Sequence, residues 1–137
     1  MCGQKGRCIL GSFKDLNLIL AGMEAPMAHY LFQAAYTSEA WHNMLKNPQD
    51  RIGLVSKAVE KLGGTVEAGW LSFGDYDTVL LMQMPDDATA AAFAMAVAAG
   101  GACKAVKTTP LLSVEEGMEA ERKAAACGYA PPKGPKK

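Results

Sequence analysis

Ile52, Val55, Val59 and Leu62 recur at intervals of three and four residues, which lays one apolar stripe along a helix. Pro48 fits the first turn of that helix, where no N–H is needed, and it pushes Asn47 out of the α region. Gly63-Gly64 supplies the stop. Upstream, Trp41 and Leu45 share one face of a shorter helix that Thr37 or Ser38 can cap, with Glu39 in its first turn. Residues 29–36, HYLFQAAY, are short, aromatic and apolar, and read as a strand. Two further apolar runs, 65–72 and 77–84, flank a Gly/Asp loop and predict a hairpin. Pro85-Asp86-Asp87 ends that hairpin and caps a helix over 88–99, which is nearly all alanine apart from Phe93, Met95 and Val97. After Gly100-Gly101 a fourth strand covers 102–112 and stops near Pro110; Ser113-x-x-Glu116 is a capping box that opens a helix over 114–127.

The resulting order, β-α-β-β-α-β with a C-terminal helix, is the ferredoxin-like split βαβ arrangement of the α+β class. It implies a four-stranded antiparallel sheet with both main helices on one face. Such a sheet should alternate apolar and polar positions if its other face meets water. Here Tyr30, Phe32, Ala34 and Tyr36 point one way, while Leu31 and Ala35 accompany His29 and Gln33 on the other. In the third strand Leu80, Met82 and Met84 oppose Val79 and Leu81. Helices on one face leave Leu31, Ala35, Val79 and Leu81 in water, a patch that monomers seldom tolerate. A second copy packed sheet to sheet removes it, so a homodimer is expected.

Composition narrows the partners. Between positions 28 and 128 the chain carries eight Lys/Arg against twelve Asp/Glu, an acidic balance that lacks the clustered bases of a nucleic-acid surface. No apolar run approaches the ~20 residues that span a bilayer. Lys5 and Arg7 precede apolar residues as in a leader, but Lys14 and Asp15 interrupt the apolar part and no Ala-x-Ala precedes Met27. The expected location is therefore cytoplasmic. Cys2, Cys8, Cys103 and Cys127 have no metal-ligand spacing and read as free thiols in a reducing compartment. Residues 1–26 have no clean period, and Met27 is expected to be the natural start, with 1–26 an upstream extension. Residues 27–116 form the domain, 117–128 the C-terminal helix, and the Pro/Lys-rich 129–137 a disordered tail.

Three short stretches in this order also resemble the GYD domain family: Leu62-Gly63-Gly64 before a strand, Phe73-Gly74-Asp75-Tyr76-Asp77 at the turn, and Met84-Pro85-Asp86-Asp87 before the alanine-rich helix. The likeness runs from about residue 28 to 116. It implies a ferredoxin-like chain of the dimeric α/β-barrel type, and it implies no reaction, cofactor or catalytic residue.

Two groups of residues are candidates for a site. In the turn motif Gly74, Asp75, Tyr76, Asp77, Gly74 takes a positive φ, Asp75 caps the turn and Tyr76 packs on Trp70 or Phe73; alternatively Tyr76 and Asp77 rim a pocket at the sheet edge. The second group is His29, Gln33 and Gln83, which converge in an apolar interior if their faces coincide, either to bind a small ligand or to bond one another across the interface. Trp70 joins them as a ligand-contacting aromatic. His42 is expected to face solvent, and neither histidine has a second ligand at metal spacing. No cofactor is expected. The leading reading is a homodimeric module that binds a small apolar or aromatic ligand, or simply assembles. A cofactor-independent monooxygenase- or isomerase-like enzyme with His29 as its titrating group is the rival, and a regulatory subunit docking on a partner protein through its alanine-rich or C-terminal helix is the third.

Overall fold

The computed structural model describes residues 26–135, so the expectation for residues 1–26, Cys2 and Cys8 included, falls outside the described residues but for Pro26. The chain runs β1 (Ala28–Tyr36), α1 (Ser38–Lys46), α2 (Arg51–Lys61), β2 (Thr65–Leu71), β3 (Thr78–Met84), α3 (Asp87–Ala99), β4 (Cys103–Leu111) and α4 (Val114–Ala126). The strands form one antiparallel sheet in the order β2-β3-β1-β4. This is the expected ferredoxin-like arrangement, with the first helix broken in two at Pro48 and α4 appended.

Side-chain acceptors decide where the helices begin. The Thr37 hydroxyl accepts the Ala40 amide at 3.1 Å and starts α1. Helix α2 starts later than Pro48 predicts: the Asp50 carboxylate accepts the Gly53 amide at 2.9 Å, and Arg51 is the first helical residue. Pro48 can only dispense with an N–H, whereas Asp50 satisfies one, so the cap sets the boundary. At α3 both the hydroxyl and the amide of Thr89 donate to Asp86 at 2.7 Å, and these bonds hold the Asp86 carboxyl below its ordinary range. Ser113 and Glu116 form the full capping box of α4. Strand β4 ends at Leu111, next to Pro110 as expected, and Pro110 itself pairs with Tyr30 inside the strand. Strand β4 lies at the sheet edge, where a missing donor is tolerated.

The helix-side face carries the core. Tyr30, Phe32, Ala34, Leu80, Met82 and Met84 are buried against Val59, Ala90 and Phe93. Phe32 and Phe93 meet with ring centroids 4.9 Å apart, tilted by 60°. Gly69 lets α2 come down on β2: a Cβ there would stand 2.9 Å from Ile52 and 2.8 Å from Leu80. Tyr30 Oη donates to Asp87 Oδ1 at 2.6 Å and pins the start of α3 to β1. That bond first, then burial and the charges of Asp87 and Asp86, push the phenol up to about 12. Because the folded value lies above the unfolded one, the contribution to stability is intact below pH 10 and is lost as pH rises through about 12. The tyrosinate absorbance that disappears in Tyr30→Phe should therefore titrate near pH 12 in the native protein and fall back toward 10 in Asp87→Asn. An unchanged titration in Asp87→Asn contradicts the assignment.

The opposite face carries no helix-packed core, and its side chains stand in cross-strand rows. Trp70, Val79, Gln33 and Lys107 make one row; Ala68, Leu81, Leu31 and Thr109 make the next. Leu31, Val79 and Leu81 are half-buried by their neighbours, and Trp70 is 56% exposed. Ala35 departs from expectation. It is buried within the chain rather than left in water, because a single methyl on a strand flanked by neighbours does not stand clear of them.

Candidate functional site

The turn after β2 and the end of β1 are joined through Asp77. Its Oδ2 accepts the Tyr36 amide at 2.8 Å and the Trp41 indole N–H at 3.3 Å, and its own amide donates to the Ala34 carbonyl at 2.9 Å. One carboxylate thus fixes a strand end, the first helix and the hairpin turn. Trp41 stands edge-on to Tyr36, with ring centroids 5.6 Å apart and planes at 84°. Gly74 has φ of +141°, open to glycine, and bends the turn. Asp75 makes no side-chain hydrogen bond among the described residues; the Ser72 hydroxyl, donating to the Tyr76 carbonyl at 2.7 Å, closes the loop in its place. Phe73 is fully exposed and Tyr76 has no aromatic partner among the described residues, so the expected stacking of Tyr76 is absent. A short polar closure through Ser72 leaves Phe73 pointing away from the domain.

Two cavities meet at Tyr36 and Arg51 on the helix side of the sheet. The larger, about 280 Å³, lies between α1 and the start of α2 and is lined by Trp41, Met44, Leu45, Pro48, Ile52 and Leu71, with Asp50 at its edge. The second, about 210 Å³, lies between the sheet and α3; Phe32, Val55, Leu80, Val97, Thr78 and Cys103 line it. Arg51 is the charged side chain of this second wall. No carboxylate forms an ion pair with it among the described residues. Thr78 and Tyr36 are 5% and 6% exposed, and the Thr78 hydroxyl donates to Tyr36 Oη at 3.3 Å. Burial pushes the Cys103 thiol up, with Arg51 opposing and Asp77 adding to the rise, so it is a protonated thiol at neutral pH.

On the open face, His29 and Gln83 are direct cross-strand partners. The Gln83 amide donates to Glu67 Oε1 and lies 3.2 Å from His29 Nε2, which is itself 3.5 Å from Glu67 Oε1. Glu67 reaches this cluster because β2 bulges between Val66 and Ala68, adding one residue to the strand.

A family profile described as the GYD domain matches residues 30–120. The chain belongs to the GYD domain family. No curated protein matches its sequence significantly. Among solved structures, the crystal structure of MtbAldR is similar over 73% of this chain and 67% of its own, at 16% identity and a TM-score of 0.47.

Within this GYD domain the expected site residues fall into two places. His29, Gln33, Gln83 and Trp70 share the open face, with His29 and Gln83 in contact and Trp70 and Gln33 two rows further along, beyond Leu31 and Leu81, on either side of Val79. Asp77 serves the Tyr36–Trp41 junction, while Tyr76 lies in the turn beside it. Strand alternation alone missed Glu67, since a bulge changes the phase of β2. It also assigned Tyr36 to plain core, although the tyrosine lines both helix-side cavities. Arg51 counted only as one charge among many; its place just after Asp50, at the mouth of a helix that packs on the sheet, was the available signal. Among the described residues no helix is long and apolar enough to cross a membrane, and no group of His, Cys, Asp or Glu is placed to hold a metal ion.

Proposed function

We propose that this GYD domain works as a homodimer joined through its helix-free sheet face, and that each protomer holds a small apolar or aromatic molecule in the cavities beside Tyr36. One observation carries the reading: the two central strands present Leu31, Val79 and Leu81 on a face that no element of the core layer covers, while the opposite face is already packed. An apolar face of that kind is stabilised by a second copy. The cavities supply the other half, being lined mainly by apolar side chains with a few polar groups, which is the make-up of small-molecule sites.

The enzyme reading is weaker on the same geometry. His29 lies on the open face, away from both cavities, and the Cys103 thiol within the smaller one is held in its unreactive form. Docking of a different protein on α4 rests on its exposed Val114 and Met118.

Trp70 tests the assembly. In a Trp41→Phe variant it is the chain's remaining tryptophan. Its emission should be blue-shifted at micromolar protein, where the dimer covers the indole, and should move to the red on dilution. An exposed-type emission at every concentration contradicts the proposal.

A further inference from the structure

We infer that the ligand is an aromatic carboxylate, held in the 210 Å³ cavity with its ring among Phe32, Leu80 and Val97 and its carboxylate between Arg51 and the Tyr36–Thr78 hydroxyl pair. The inference rests on the small-ligand reading above and names the class of that ligand.

Three observations converge on it. Size comes first: the volume exceeds the roughly 150 Å³ of a dry apolar cavity known to take benzene, so one ring and one short polar group fit. Charge comes second. Arg51 is the cation of a wall otherwise built of apolar groups, hydroxyls and the Cys103 thiol, and no protein carboxylate pairs with it among the described residues. A guanidinium beside a low-dielectric cavity favours a planar, two-oxygen anion, which it can meet with two parallel N–H donors. Asp50 borders the neighbouring cavity rather than this one, and its carboxylate is engaged by the Gly53 amide.

The third observation is a surplus donor. Thr78 and Tyr36 are both more than nine-tenths buried, and their hydroxyls share one hydrogen bond. Two hydroxyls carry two protons, and that bond uses one. Whichever way it runs, the remaining proton has no acceptor among the described residues, and a buried donor left unpaired is costly. With Thr78 donating, it is the Tyr36 proton that points to a ligand. A carboxylate oxygen accepts it and at the same time neutralises Arg51. A neutral aromatic would satisfy neither group fully.

Calorimetric titration of the full chain with benzoate and with its neutral analogue benzyl alcohol tests this. Benzoate should bind at least about 10-fold more tightly, as expected for charge-assisted hydrogen bonds in a mainly apolar cavity. Arg51→Gln should weaken benzoate by about 10-fold or more and benzyl alcohol by much less. Tyr36→Phe keeps the ring and removes the hydroxyl, so it should weaken benzoate several-fold and serves if the arginine variant folds poorly. Equal affinity for the two probes, or benzoate binding that survives Arg51→Gln, overturns the carboxylate assignment and leaves the small-ligand reading standing. Absence of binding by both probes up to about 10 mM, far weaker than a specific site affords, overturns both.

Discussion

Leu81→Lys should raise the dimer dissociation constant at least about 100-fold while the protomer stays folded, which corresponds to about 2.8 kcal/mol at the interface. Leu81 sits in the centre of β3, paired with Leu31 on one side and Ala68 on the other, on the face without helices. In the isolated protomer it is half-exposed, so a lysine there can lay its stem along the strands and keep its ammonium in water. In the proposed dimer, two-fold symmetry places both copies of the lysine in the interface, and each charge must then be desolvated without a partner. The neighbouring Leu80 points to the core and is 1% exposed, so Leu80→Lys should unfold the protomer instead. Light scattering on a sizing column reads the first effect and far-ultraviolet circular dichroism the second. A Leu81→Lys protein as dimeric as its parent would mean the open face is not the interface.

Asp77→Ala should lower the unfolding free energy by about 3 kcal/mol, the cost of leaving donors near the core without a charged acceptor. The Tyr36 amide and the Trp41 indole N–H both donate to Asp77 Oδ2, and Tyr36 is buried. Their loss frees the end of β1 and the start of α1 together, and with them the wall shared by the two cavities. Asp77→Asn retains a carbonyl oxygen for the Tyr36 amide and should cost about half as much, since neutral acceptors make hydrogen bonds roughly half as strong. Urea denaturation of the three proteins measures the difference. A loss below about 0.5 kcal/mol for the alanine variant, the scale of an ordinary surface change, would mean the turn is held by other bonds.

These two residues also show what was legible in the chain and what was not. Leu81 could be placed by alternation, because a side-chain period of two assigns each residue of a regular strand to one face. Element order, the α2 stripe, the cap at Ser113 and the two-faced sheet followed from similarly local rules. Asp77 was visible as part of a turn motif, but its partners, Tyr36 and Trp41, lie 41 and 36 residues away. No local rule supplies a contact of that span. A boundary failed where two local signals competed, as with Pro48 against Asp50 at the start of α2. Glu67 was missed because a one-residue bulge shifts the alternation of β2. The cavities were hidden for a different reason. They are spaces between α1, α2, α3 and the sheet, and their walls come from residues that each read as ordinary core or as a solvated charge.

Sedimentation equilibrium of the wild-type chain over low to high micromolar concentration tests the central claim most directly. Sheet-to-sheet assembly gives twice the chain mass of 14.5 kDa, falling toward one chain only on dilution. A mass of one chain throughout that range would contradict it, and the apolar face of β1 and β3 would then be exposed in the working protein.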